Sequence, residues 1–338
     1  MRGIRANRAL TSIRDDGKNG QTSAGNLSHE HLLPRKARSL PNLYCYTHSL
    51  RRLIINADDF GFTSGVNRAI AEAHAHGVVT SSTLMSGGPA FPEAVQLAKE
   101  LPQLSVGCHV VLIDGLPALT ADKIPSLTRA DKFRDGLKAF ATRALTGRIT
   151  ALEITAEAAA QIRKIQAAGI AVSHVDTHKH THIFPQILRP LLRAATECGV
   201  RAIRNPFGPR FPLQSSRLWA RPSLWTRYAE VRILRRFSGE FHDVAAREGF
   251  ATPDGTLGIE VTGSLDETLF QALAQSMPPG TWEFVCHPGY DDADLRAART
   301  RLRESREIEL RVLTLPTARE VLAKEGIELI SYRNLTRS

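Results

Sequence analysis

Short apolar runs alternate along this chain with stretches whose apolar positions recur at helical spacing. Arg51-Arg-Leu-Ile-Ile-Asn56 is the first run, and it leads straight into Ala57-Asp58-Asp59-Phe60-Gly61. That pattern predicts a buried strand with two acids at its carboxyl end. Ser64 to His74 follows with helical spacing, and Gly77 is its stop. The unit then repeats. Strands are expected at Val78–Leu84, Leu104–Leu112, Ile170–His178, Val200–Arg204, Thr256–Val261, Thr281–His287 and Ile327–Tyr332. Helices are expected at Phe91–Glu100, Glu153–Ala168, Phe184–Cys198, Thr268–Gln275, Asp294–Val312 and Ala318–Glu325. An irregular stretch covers Asp114–Gly136, and Asn205-Pro-Phe-Gly-Pro-Arg-Phe-Pro212 opens an insertion to about Gly249 that carries Trp219 and Trp225.

Strand alternating with helix means a parallel sheet in an α/β protein. Seven or eight such units suggest a parallel β/α, TIM-like barrel. A doubly wound open sheet is the alternative, and the lack of a Gly-rich phosphate loop after the first strand counts against it. The domain is expected over residues 51–335. Residues 1–50 lack periodicity and have no apolar core of a signal peptide, so a disordered basic leader is expected there.

Composition changes this picture little. The 338 residues are 42% apolar and 23% charged, ordinary for a globular chain. Cys45, Cys108, Cys198 and Cys286 are scattered, which favours a reducing, cytoplasmic setting over a disulfide framework. No run of about 18 apolar residues is present to span a bilayer. The net charge is +10, and residues 1–50 supply +5 of it from eight Lys/Arg against three Asp/Glu. A second basic stretch, Arg210 to Arg236, reads first as a solvated helix face and second as attraction to an anionic substrate or lipid surface. Nucleic acid is therefore not the expected partner. Peripheral membrane contact and a homodimer are left open.

Candidate chemistry lies where strands end, because the carboxyl ends of barrel strands carry the active site. The polar residues there are Asp58, Asp59, His109, Asp176, His178 and His287. The densest segment is His174-Val-Asp-Thr-His-Lys-His-Thr-His182, where His174, Asp176, His178, His180 and His182 fall at every second position. Alternate side chains of an extended chain share a face, so Asp176 and His178 would point together. Taken singly, each histidine reads as a hydrogen-bonded structural residue. Together, Asp59, His109 and His178 offer the one carboxylate and two imidazoles that suit a catalytic metal. Asp58 is then free to act as general base for the attacking water, and His287 as general acid. A two-His-one-carboxylate non-haem iron enzyme could use the same ligands, though strand and helix alternation counts against its usual β-rich scaffolds. A basic nucleic-acid-binding protein is the remaining alternative.

Leu53-Ile-Ile-Asn-Ala-Asp-Asp-Phe-Gly61, Val106-Gly-Cys-His109, His174 to His182 and Cys286-His-Pro-Gly289 resemble, in order, the signature segments of the YdjC-like carbohydrate deacetylases. The likeness runs from about Arg51 to Tyr332. Asp114-Gly-Leu-Pro117, Ile124-Pro-Ser-Leu127 and Lys179 look closer to the hopanoid-biosynthesis-associated branch than to the chitooligosaccharide deacetylases. The resemblance implies a hydrolase removing acetyl groups from N-acetylated sugars such as N-acetylglucosamine oligosaccharides or glycoconjugates. It implies one divalent ion, Mg²⁺ or Zn²⁺, on Asp59, His109 and His178, with Asp58 as proton acceptor. His174, Asp176, His180 and His182 would be substrate-binding residues or would orient the ligands.

Overall fold

The computed structural model describes residues 50–209 and 224–335. The expected leader, apart from Leu50, and residues 210–223 of the expected insertion lie outside the described residues, as do Cys45 and Trp219.

β1 (Arg51–Phe60) is the spine of the sheet. Its residues from Leu53 onward are all buried, as expected of a parallel strand covered on both faces. Ile54 and Ile55 are fully buried, each contributing roughly 1.5–3 kcal/mol of hydrophobic stabilisation. α1 (Ser64–Ala75) follows, its amino end capped by the Thr63 side chain accepting from Val66 N. β2 (Ser81–Leu84), α2 (Phe91–Glu100) and β3 (Ser105–Val110) continue the alternation.

The stretch after β3 contains a two-residue ladder of β4 (Thr128–Arg129) with β5 (Lys132–Phe133), then α3 (Leu137–Leu145) and α4 (Ala151–Ala167). Glu157 on α4 pins this stretch by accepting from Ala118 N and Leu119 N, and Glu153 accepts from Ser126 N. β6 (Val175–Thr177) is short, and α5 (Pro185–Glu197) packs on α4. α6 (Trp225–Leu234) and α7 (Ser238–Arg247) lie in the insertion. The chain then runs through β7 (Gly255–Leu257), α8 (Glu267–Ser276), β8 (Gly280–Cys286), α9 (Ala293–Ala297), α10 (Glu304–Thr314), α11 (Pro316–Lys324), β9 (Ile327–Ile330) and α12 (Tyr332–Leu335).

The main sheet is wholly parallel and curled, in the order β6-β3-β2-β1-β8-β7, with β9 beside the first half of β1. The α/β class is as the sequence predicts. The expected barrel is matched in part: single bridges, Val175 to Ile203 and Ala202 to Ala251, stand between the edges β6 and β7. The expected fifth strand at Val200–Arg204 is reduced to those bridges. Beyond them Arg204 N still donates to Val175 O, and Phe207 O accepts from Thr256 N.

Three other expectations are corrected. The strand expected over Ile170–His178 is extended only at Val175–Thr177. The strand expected at Thr256–Val261 ends at Leu257, where Gly258 turns left-handed at φ 97° into a 3₁₀ turn. The helix expected over Asp294–Val312 is two helices separated by residues 298–303. Among the described residues no helix is long and apolar enough to cross a membrane.

Candidate functional site

Asp58 and Asp59 sit in a break of register. β1 pairs with β2 at Asn56–Ser81 and Ala57–Ser82, then again only at Phe60–Leu84. Asp59 takes φ 67°, a left-handed conformation that costs a non-glycine residue of order 1–3 kcal/mol and gathers at functional sites. Neighbouring side chains on a regular strand would point to opposite faces. The irregularity re-aims them, so both acids join one polar cluster.

Asp59 Oδ1 lies 3.6 Å from His109 Nε2 and 3.6 Å from His178 Nδ1, and those two nitrogens are 3.3 Å apart. Four-coordinate ligands about 2.1 Å from a metal stand about 3.4 Å from one another, so this triangle has the size of a metal site. His109 owes its orientation to strand register. It stands directly across from Asp176, whose Oδ1 takes the His109 Nδ1 proton at 2.7 Å and leaves Nε2 to face Asp59. Burial alone would lower the His109 pKa, but the charge and hydrogen bond of Asp176 outweigh it and raise the value to about 9. Nε2 therefore holds either a proton or an ion.

A second acidic group, Asp58, His109 and Asp176, also converges within ligand range. Two of its members already share a cation, Arg204. Arg204 donates from Nη1 to Asp58 Oδ2 at 2.8 Å and from Nη2 to Asp58 Oδ1 at 2.6 Å, and its Nη1 is 2.6 Å from Asp176 Oδ2. Its Nε and Nη2 also reach Glu283 Oε1, at 2.9 and 2.7 Å. Arg204 is fully buried. Burial pushes the Asp58 carboxyl up, yet Arg204 overrides it and, with His109 and His287, holds it far below the usual carboxylate range. Asp59 is also driven well down: burial raises it, and Arg306 with the two histidines more than reverses that. Thr83 Oγ1 on β2 donates within the same cluster, 3.2 Å from Asp58 Oδ1 and 3.2 Å from Asp176 Oδ2. β2 thus brings a hydroxyl, whereas the other strand ends at the site bring ionisable groups.

His287, just past β8, puts Nε2 at 3.9 Å from Asp58 Oδ2. Its backbone N–H is held by Glu309 Oε2 at 2.5 Å, and Glu309 Oε1 also accepts from Gly263 N.

The remaining histidines separate. After Thr177 the chain turns through Lys179 and His180, at φ 56° and 52°, so alternation along a strand ends at His178. His174 is fully buried and stacks on Tyr332, ring centroids 3.5 Å apart, with Ser173 Oγ at 2.9 Å from its Nδ1. His182 is also fully buried, bonded to Thr177 Oγ1 and, through Nε2, to the carbonyl of Arg204 at 3.2 Å. It thereby ties the turn after β6 to the main chain at Arg204. His180 is half-buried, and its Nδ1 has no hydrogen-bond partner among the described residues. Of the four residues expected to bind substrate or orient ligands, Asp176 is the one bonded to a candidate ligand.

Sequence reasoning missed Arg204, Arg306, Thr83, Glu283 and Glu309. Arg204 left a signal, a charge at a strand's carboxyl end like Asp58 and His109.

The YdjC-like protein family model matches residues 52–324. Two proteins named carbohydrate deacetylase, from Brevibacillus brevis (strain 47) and Vibrio parahaemolyticus serotype O3:K6, are each 32% identical over 287 and 284 residues. Both matches cover 84% of this chain, and 99% and 96% of those proteins. A solved structure of a proposed cellobiose-phosphate cleavage protein from Enterococcus faecalis V583 is 27% identical, with a TM-score of 0.68, covering 85% of this chain and 99% of that one.

Proposed function

This chain belongs to the YdjC-like family, and from that premise we propose that it is a metal-dependent deacetylase of N-acetylated sugars. The observation that carries the reading is the triangle of Asp59 Oδ1, His109 Nε2 and His178 Nδ1 with Asp58 and His287 beside it. One carboxylate and two imidazoles accept Mg²⁺ or Zn²⁺ with little change of geometry. In this reading the sheet is a distorted barrel closed by single bridges, and the insertion of residues 205–249 belongs to the same domain.

Asp59, His109 and His178 would hold the ion, and Asp176 keeps His109 Nε2 free for it. When bound, the ion would lower the pKa of water and polarise the acetyl carbonyl. Asp58, ionised because Arg204 holds it so, takes a proton from the attacking water at Oδ2. His287 Nε2 lies next to that oxygen and gives a proton to the amide nitrogen as the C–N bond breaks. Water oxygen ends on acetate, and the sugar keeps a free amine. Each such proton transfer contributes roughly 10² to 10⁴ in rate. A non-haem iron oxygenase would use a similar ligand set, but relatives named carbohydrate deacetylase support hydrolysis.

The test is incubation of purified protein with a panel of N-acetylglucosamine conjugates, with chelator or with added Zn²⁺ or Mg²⁺, assaying free amine and acetate. Chelator-sensitive amine release is expected. No turnover of any acetylated sugar by metal-loaded protein would end the proposal.

A further inference from the structure

Asp59 divides its two oxygens. Oδ1 faces His109 and His178, while Oδ2 takes a hydrogen bond from Arg306 Nη2 at 2.5 Å. Arg306 lies on α10, 247 residues away in sequence, and is 1% exposed. Its Nε donates to the carbonyl of Leu302 at 3.2 Å, and its guanidinium carbon stands 5.9 Å from the ring centre of Phe62. The side chain passes through a neck at Gly289. A Cβ there would meet Arg306 Cδ at 2.9 Å and Val66 Cγ2 at 3.1 Å, so a larger residue would crowd the arginine. Gly289 N also donates to the Arg306 carbonyl at 3.2 Å. This gives the glycine of Cys286-His-Pro-Gly289 a physical purpose.

We propose that Arg306 is a positioning residue that makes Asp59 a one-oxygen ligand, an inference that rests on the metal-site reading above. A carboxylate released from Arg306 can turn both oxygens toward an ion. The guanidinium also places a positive charge against the ligand, which opposes a second cation. Both effects run the same way: Arg306 weakens ion binding and keeps Asp59 from crowding the ion where water and substrate must reach it. A merely structural arginine would have the opposite signature, because its loss would loosen the site.

The experiment compares wild type, Arg306→Met, Arg306→Lys and Gly289→Ala after removal of metal, measuring Zn²⁺ affinity against a chromophoric chelator and the visible absorption of Co²⁺-loaded protein. Arg306→Met is expected to bind Zn²⁺ roughly tenfold tighter, the scale of one neighbouring charge on a site. Its Co²⁺ bands should weaken, as they do when coordination number rises, while turnover falls. Arg306→Lys should stay within about threefold of wild-type affinity, since the neighbouring charge is kept. If Arg306→Met does not fold, Gly289→Ala displaces the arginine without deleting it and should shift the Co²⁺ spectrum in the same direction. Weaker or unchanged Zn²⁺ binding with an unchanged Co²⁺ spectrum overturns the inference. Neither binding measurement uses a sugar, so a protein that binds Zn²⁺ without deacetylating anything sinks the activity alone. A wild type that binds no divalent ion sinks both.

Discussion

Arg204 clasps Asp58 with two near-parallel hydrogen bonds, Nη1 to Oδ2 at 2.8 Å and Nη2 to Oδ1 at 2.6 Å. The same guanidinium serves Asp176 and Glu283, so one buried cation fixes both the proposed base and the acid that orients His109. Asp58→Asn keeps the side chain's size and removes the proton acceptor. The variant is expected to bind metal within a few-fold of wild type and to lose roughly 10²- to 10⁴-fold in kcat. Metal content and single-substrate kinetics on the same preparation check this.

His178 is the candidate ligand carried on the strained turn after β6, and it is part exposed. His178→Ala should lose both bound metal and turnover. His182→Gln, altering a buried histidine outside the triangle, should keep the metal. Retention of full metal content by His178→Ala, read by elemental analysis, would move the ligand assignment elsewhere in the cluster.

Arg204→Met removes the charge that compensates Asp58, Asp176 and Glu283. Breaking a buried ion pair by deleting one partner costs about 3–5 kcal/mol, because the other charge is left without compensation. A loss of that order is expected in urea unfolding of the metal-free protein. An effect under about 1 kcal/mol would mean the carboxylates can share protons among themselves and do not need the arginine.

Glu260 follows β7, is 3% exposed and leaves Oε2 without a hydrogen-bond partner among the described residues. Burial lifts its pKa from 4.5 to about 7, against a smaller opposing pull from Arg235. A raised folded pKa means the folded state holds the proton more tightly than the unfolded chain. The associated stability is complete below about pH 4.5 and is lost as pH rises to about 7. Glu260→Gln, fixed in the neutral form, should match wild type near pH 4 and exceed it at pH 8 by on the order of 1–3 kcal/mol. Paired denaturation curves at the two pH values decide it; an equal difference at both would remove Glu260 as the cause.

Much of this site is legible in the sequence because strand ends report themselves. Asp58, Asp59, His109 and Asp176 follow apolar runs, and parallel strands bring such ends together. The histidine run misleads beyond His178, since the chain turns left-handed at Lys179 and His180, where no glycine or proline marks the turn. Arg306 is invisible for another reason. It is one of many charges in an Arg- and Glu-rich helical stretch, and the packing of α10 against Gly289 and Asp59 is what buries it. The break at residues 298–303 is equally silent, containing neither glycine nor proline.

β1 takes β8 on one side from Arg51 to Ala57, and on the other it meets β9 at Arg51–Ile54 before β2 begins at Asn56. The first described strand is thus completed by nearly the last. Contacts of such separation close slowly, and a chain made from its amino end cannot form them until residues 327–330 have been made. Asp58 and Asp59 stand on that strand, and Arg306 arrives only with α10. The chain must therefore carry the apolar side of β1 without all its neighbours until β9 emerges.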